Sequence, residues 1–354
     1  MPELQGVGND QAATQLCSGV NPVPEAGLVA CILWAALFCA AGYLGTWLAM
    51  QYAVRRGLID RPGERRSHMI ATPRGGGIGI VVALLMAIAW LLLRDPQHTR
   101  LLSSFAIGLV LVAGVGWADD HRSRSPWSRL IVQAVAALLL GWGIWQEGGS
   151  AMAAAAAFMA AMVLVNVWNF MDGIDGLAAS QTAIAAIAFG VAAGQGMVTS
   201  LAFALAAACL GFLPFNLPRA RIFLGDVGSG ALGYALAALA IWLAMQDRMH
   251  ALGLLLPVSA FLIDATLTLA MRIVRRQAWW LPHTEHAYQH WVRRCGWHGR
   301  VTLAYAGWSV VASALMLIGR TTAPAFMMAA LLTTYLAGWV LWIWLRRSLS
   351  DAAV

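Results

Sequence analysis

The chain has 354 residues, of which 60% are hydrophobic and 11% charged, and its mean hydropathy is +0.69. A soluble domain carries about 25% charged residues, so this composition excludes one and belongs to a polytopic membrane protein. The net charge of +7 rests on 23 basic residues, all arginine, and has to be read against the membrane rather than as a sign of nucleic-acid binding.

Residues 1–26 carry Glu3, Asp10 and Glu25 and no arginine, the reverse of a signal-peptide start, and are expected to form a periplasmic tail. A crossing helix needs about 20 apolar residues. Apolar runs place helices at 27–54, 78–93, 101–118, 129–146, 151–168, 177–194, 199–215, 231–246, 251–273, 301–318 and 324–345. The expected fold is therefore an all-α integral membrane bundle of about eleven helices, a single domain over 27–345 with a tail at 346–354. With the N-terminus outside, only Arg94, Arg100, Arg248 and Arg320 of the 23 basic residues fall on the outer side. The excess of arginine in the other loops predicts a cytoplasmic C-terminus. Cys17, Cys31, Cys39, Cys209 and Cys295 are scattered and form neither a disulfide framework nor a metal motif.

The polar motifs all fall in the five inner segments, 55–77, 119–128, 169–176, 214–230 and 274–300. The first ends Thr72-Pro-Arg74-Gly-Gly-Gly77. Three glycines opening a helix, with Arg65, Arg66 and Arg74 nearby, suit phosphate through exposed N–H groups and fixed cations. A positive-inside loop with a flexible helix entry would read the same way. The second contains Asp119-Asp120 at the end of a helix, where adjacent carboxylates oppose the helix dipole and call for a metal ion or an arginine.

The third segment, Asn166-Val-Trp-Asn169-Phe-Met-Asp172-Gly-Ile-Asp175-Gly, sets two carboxylates and two amides where an apolar helix gives way to a turn. Charge at the bilayer edge marks a functional site by default, and the Asp-Gly pairs bring carboxylate and glycine backbone close enough to approach a metal–phosphate group. The fourth runs from Asn216 through Phe223-Leu-Gly-Asp226-Val-Gly-Ser. Asp226 precedes an apolar helix, where a carboxylate can share a divalent cation with phosphate. Phe223 is either a base-stacking ring or an interfacial anchor. In the fifth, His283, His286 and His290 follow at i, i+3 and i+7, one face if the segment is helical. Their arginine-rich surroundings, including Arg293, favour hydrogen bonds to phosphate or sugar hydroxyls over zinc. Asp264 stands alone inside the ninth helix and is expected to pair with a polar group on another helix.

From Asp60 to about Arg294 this ordered set of motifs resembles the polyprenyl-phosphate N-acetylhexosamine-1-phosphate transferase family, of the glycosyltransferase family 4 type. That family includes the enzymes that make the first lipid intermediate of peptidoglycan and that start enterobacterial common antigen and O-antigen chains. The resemblance implies a multi-pass enzyme of the bacterial inner membrane, a possible homodimer, that moves a sugar 1-phosphate from a UDP-N-acetylhexosamine, or a 6-deoxy relative, to undecaprenyl phosphate and releases UMP. It implies Mg2+, with Mn2+ as a substitute, held by Asp226 and Asp172; a catalytic pair in Asp119 and Asp120; nucleotide contacts from Asn169, Asp175, Asn216, Phe223 and Arg74; and sugar or phosphate contacts from His283, His286, His290 and Arg293. The peptidoglycan enzyme's first-loop lysine has no counterpart here, so Arg65, Arg66 or Arg74 would have to serve. Its triple-histidine pattern is replaced by His283-Thr-Glu-His-Ala-Tyr-Gln, closer to the O-antigen-initiating branch. A CDP-alcohol phosphotransferase would continue its Asp-Gly motif with an arginine, where this chain has Gly176-Leu-Ala-Ala-Ser. A transporter would need polar groups at mid-membrane on a larger scale than Asp264.

Overall fold

The computed structural model describes residues 25–60, 71–246, 248–278, 280–281 and 283–350. The expected N-terminal tail up to residue 24, together with Arg65 and Arg66, lies outside them. Twelve α-helices are present among the described residues: α1 (Glu25–Arg56), α2 (Ile78–Arg94), α3 (Thr99–His121), α4 (Pro126–Gln146), α5 (Ala151–Met171), α6 (Leu177–Ala193), α7 (Met197–Asn216), α8 (Asp226–Gln246), α9 (Ser259–Val274), α10 (Ala287–Cys295), α11 (His298–Gly319) and α12 (Pro324–Ser350). Eight helices are long and apolar enough to cross a membrane, while α2 and α6 are apolar but shorter. The protein is thus an all-α, multi-pass membrane protein. Lipid offers no partner for a bare peptide group, so each apolar run closes its own backbone bonds as a helix.

Local chemistry sets the ends. Pro126 opens α4 at a position that needs no N–H donor. Ser150 caps α5 by accepting a hydrogen bond from Ala153 N at 3.1 Å. Helix α8 is central, with every residue from Val227 to Leu239 buried, and it packs on α3, α5 and α6. Small residues permit this: a side chain at Gly233 would strike the Leu164 carbonyl of α5, and one at Gly116 the Asp226 carbonyl.

Several expected boundaries move. The run expected as one helix over 251–273 is a 3-10 segment, Arg248–Leu255, followed by α9; Pro257, which has no backbone N–H to donate, lies between them. Helices α3, α5 and α7 run three, three and one residues past their expected ends, and α8 starts at Asp226 rather than at 231. Asp119, Asp120, Asn169, Asn216 and Asp226 therefore sit on the terminal turns of helices and not in flexible loops. Two elements had no signal of their own: the antiparallel pair of β1 (Ile59–Asp60) and β2 (Thr72–Pro73), in register Ile59 with Pro73 and Asp60 with Thr72, and the short helix α10 inside the last polar segment.

Candidate active site

The ends of α3, α5, α7 and α8 converge with the first loop around a polar cavity of about 200 Å³. Asp120, Asp172, Asp175, Asn216, Phe223, Asp226 and Arg74 all line it, so residues spread over some 150 positions of sequence share one space.

Asp226 opens α8 and is held from two sides. Arg129 Nη1 lies 2.6 Å from its Oδ2, and Asn169 Nδ2 donates to its Oδ1 at 3.0 Å. The same arginine nitrogen reaches Asp119 Oδ2 at 3.0 Å, and Asp119 Oδ1 accepts the Arg124 N–H at 2.6 Å. The compensation expected for the Asp119–Asp120 pair is therefore an arginine, but Arg129 joins it to Asp226. Asp120 takes a different role. Its two carboxylate oxygens accept the N–H groups of Asp226 at 3.2 Å and Val227 at 3.1 Å, which caps the positive end of α8.

Asp172, just past the end of α5, brings a further carboxylate to this cavity. Burial lifts its carboxyl well above the ordinary carboxylate range, and the neighbouring Asp226, Asp120 and Asp175 push it the same way. Arg74, Arg129 and His298 are basic groups set against these carboxylates, beside Asp120, Asp226 and Asp175 respectively. Among the described residues no three carboxylate, histidine or cysteine groups lie close enough to hold a metal by themselves. A hard cation such as magnesium would need only one or two carboxylates from the protein, completing its shell with water and phosphate oxygens.

The residues expected on the nucleotide side are tied together. Asn216 Oδ1 accepts the Gly176 N–H at 2.6 Å while its Nδ2 donates to the Ile222 carbonyl at 2.9 Å. Gly176 adopts φ +72°, a left-handed conformation that favours glycine. Asp175 accepts from Ala220 N at 3.2 Å and lies 3.3 Å from His298 Nδ1. Phe223 is locked by backbone: its N–H donates to Pro73 O and its carbonyl accepts the Gly76 N–H.

That last bond corrects an expectation. Two of the glycine N–H groups expected to be open to phosphate are taken: Gly76 donates to Phe223 O at 2.9 Å and Gly77 to Leu224 O at 2.8 Å. A side chain at Gly77 would collide with Gly228 of α8, so close packing explains that glycine. Arg74 does face the cavity and hydrogen-bonds the Asp120 carbonyl.

The histidines do not share a helical face, because α10 begins at Ala287 and only His290 lies within it. His286 is the N-cap and is buried; His283 precedes it and stacks on it at 4.9 Å between ring centroids. Arg293 donates to the Thr284 carbonyl at 2.8 Å. None of these four lines the polar cavity. Burial, helped by His286 and Arg272, pushes the His283 imidazole down to about 4; burial with Arg293 and Arg346 pushes His290 to about 4 as well. Both rings are therefore neutral at pH 7.

Asp264 finds its partners on other elements, as expected. It accepts from Ala287 N at 2.8 Å, Tyr288 N at 3.1 Å and the Tyr305 hydroxyl at 2.8 Å, and so docks the start of α10. Tyr288 in turn donates to the Phe170 carbonyl at 3.1 Å, which links the last loop to the Asp172 turn. Gln289 and His298 also line the cavity. Neither stands out in the sequence, where Arg129 bears only on topology. A histidine immediately after Trp297, at a helix start, was the available signal for His298.

The sequence model of the family described as Glycosyl transferase family 4 matches residues 102–244, which span α3 to α8. The decaprenyl-phosphate N-acetylglucosaminephosphotransferase of Mycobacterium tuberculosis is 30% identical over 350 residues, covering 86% of this chain and 85% of that protein. The probable undecaprenyl-phosphate N-acetylglucosaminyl 1-phosphate transferase of Bacillus subtilis is 26% identical, covering 69% and 72%. A phospho-N-acetylmuramoyl-pentapeptide-transferase of Nostoc punctiforme is 31% identical, covering 68% and 74%.

Proposed function

Because this chain belongs to the polyprenyl-phosphate N-acetylhexosamine-1-phosphate transferase family, we propose that it transfers N-acetylhexosamine 1-phosphate from a UDP-sugar to polyprenyl phosphate, releasing UMP. The observation that carries this reading is the convergence of Asp120, Asp172 and Asp226 with Arg74 and Phe223 on one polar cavity at the ends of membrane helices.

The attacking group is a lipid phosphate, already ionised near neutral pH because its second pKa is about 6. It therefore needs no strong base, and charge neutralisation and alignment are the main demands. Asp226 and Asp172 are the residues that would hold magnesium. Bound there, the ion supplies charge neutralisation at the diphosphate oxygens. Arg74 adds a fixed cation facing the same space. Phe223, held rigidly by backbone bonds on both its N–H and its carbonyl, presents a ring for uracil, with Asn216, Asp175 and Asn169 shaping the wall around it. Because both oxygens of Asp120 already cap α8, we assign that residue to positioning Asp226, which favours direct attack by the lipid phosphate over a phospho-aspartate.

The named relatives act on N-acetylglucosamine or on a muramoyl pentapeptide. The absence of lysine and the altered histidine loop favour a simple N-acetylhexosamine, and the product would be the lipid-linked first sugar of a cell-surface polysaccharide such as O-antigen. The arginine asymmetry supports a cytoplasmic position for the cavity in the bacterial inner membrane. The test is UMP release by purified protein given polyprenyl phosphate, magnesium and a panel of UDP-N-acetylhexosamines, their 6-deoxy relatives and UDP-N-acetylmuramoyl pentapeptide. Turnover with one N-acetylhexosamine is expected; silence with every donor overturns the reading, and turnover with the pentapeptide donor alone overturns the sugar assignment.

A further inference from the structure

Helix α11 begins at the polar cavity. Its first residue, His298, lines that space, and Thr302 follows at i+4, on the same face of the helix. Both converge on Asp175, which lies 123 positions before His298 in the chain. His298 Nδ1 is 3.3 Å from Asp175 Oδ1 and 3.4 Å from the Asp175 backbone nitrogen, and the Thr302 hydroxyl donates to the Asp175 carbonyl at 2.8 Å. The remaining carboxylate oxygen, Oδ2, accepts the Ala220 N–H at 3.2 Å. Asp175 is thus held at its carboxylate, its N–H and its carbonyl.

The two residues of α11 contribute differently. Thr302 is a buried hydroxyl bound to a backbone carbonyl, and docking of the helix accounts for it. Docking alone does not call for a histidine in the cavity wall. Asp175 shares that cavity with Asp120, Asp172 and Asp226, and like charges around one space repel one another. A fixed partner holds the Asp175 carboxylate in place against that repulsion. An ionised carboxylate can only accept: with a proton on Nδ1 the ring donates to Oδ1, and without one it accepts the Asp175 N–H. In both states Nδ1 is the atom that holds Asp175, and a carboxylate oxygen engaged once keeps a further lone pair for a ligand.

We infer that His298 is a positioning residue for donor binding, acting through Nδ1 on Asp175 and setting the orientation of that carboxylate in the nucleotide wall. The inference rests on the transferase reading for the identity of the donor and for the place of Asp175 in that wall. It makes nucleotide affinity depend on the start of α11, outside the stretch 102–244 that the family model matches.

The test compares His298→Asn, whose amide ends at the depth of Nδ1, with His298→Gln, whose amide reaches the depth of Nε2. Purified proteins are titrated calorimetrically with UMP in the presence of magnesium, and the KM values for UDP-sugar and polyprenyl phosphate are taken from UMP release. His298→Gln should weaken UMP binding and raise the UDP-sugar KM about tenfold, or about 1.4 kcal/mol, with the acceptor KM unchanged and kcat changed less than KM. His298→Asn should retain most of the affinity, and both variants should melt close to wild type. In an Asp175→Ala background neither substitution should raise the UDP-sugar KM further, because the residue they act through is gone.

Affinity kept by His298→Gln and lost by His298→Asn would place the ligand on Nε2 and overturn the inference. Equal losses in the two variants, or losses that add to that of Asp175→Ala, would overturn it as well. Wild-type protein that binds no UMP removes the transferase reading and this inference with it, whereas wild-type binding left intact by His298→Gln removes only the role of His298.

Discussion

Arg129 and Asp226, separated by 97 positions, meet through a nitrogen–oxygen distance of 2.6 Å at the rim of the polar cavity. The same guanidinium holds Asp119. Removing it leaves two half-buried carboxylates facing each other, a situation far costlier than losing an exposed ion pair. Arg129→Met should lower kcat by about 10²-fold, with Arg129→Lys retaining part of the activity, as measured by UMP release at saturating substrates. Wild-type turnover in Arg129→Met would show that Asp226 orients without it.

The carboxylates around the cavity should separate by kind of defect. Asp226→Asn and Asp172→Asn are expected to abolish turnover while leaving thermal unfolding close to wild type. Asp120→Ala should lower both turnover and the melting temperature, because it deprives α8 of its cap; loss of an N-cap acceptor costs about 1 kcal/mol. Thermal melts and activity on the same preparations distinguish the two outcomes. Equal melting of Asp120→Ala and wild type would contradict the capping role.

Asp264 accepts three hydrogen bonds that dock α10 and α11, and each buried donor left bare costs about 1–3 kcal/mol. Asp264→Ala should therefore lower the melting temperature and raise the KM for the sugar nucleotide more than it lowers kcat. Asp264→Asn keeps an acceptor and should fall between. A KM untouched in Asp264→Ala would separate the last loop from donor binding.

The two histidines pushed down to about 4 give a pH dependence with a definite sign. In the unfolded chain they take up protons near pH 6.5, while in the folded protein they resist until about pH 4, so the unfolded state binds more protons between those values. Stability should fall as pH drops from about 6.5 towards 4 and be indifferent to these groups above about 7. Replacing both by Asn should flatten that slope in melts recorded across pH 4–8. Histidine resonances titrating near 6.5 in the folded protein would contradict the shift.

How much of this was readable without coordinates depends on range. Helices announced themselves because bilayer burial demands unbroken apolar runs, and the boundaries missed at the cavity were polar: Asp119, Asn169 and Asp226 look like loop because a charge or amide looks like an exit from lipid, whereas the helix carries it to the cavity. The acidic and amide residues that line the cavity could be named from Asp-Gly pairs and helix-end carboxylates. Their partners could not, since Asp120 caps a helix that starts more than 100 positions later and Gly76 bonds to Phe223 across the same kind of gap. Arg129 was hidden by its own abundance, one arginine among 23 that orientation alone seemed to explain.

Gly173 touches the hydroxyl of Tyr288, so any side chain at that glycine would displace the tyrosine. Since Tyr288 is also bound to the Phe170 carbonyl and anchored by Asp264, the turn carrying Asp172 and the start of α10 are a single mechanical part. Under the proposed transferase reading, divergence towards a different sugar would be channelled: the last loop can change around His283, Thr284 and His290, but Tyr288 and Gly173 can change only together. Lineages that switch donors should vary on either side of that pair and keep the pair itself.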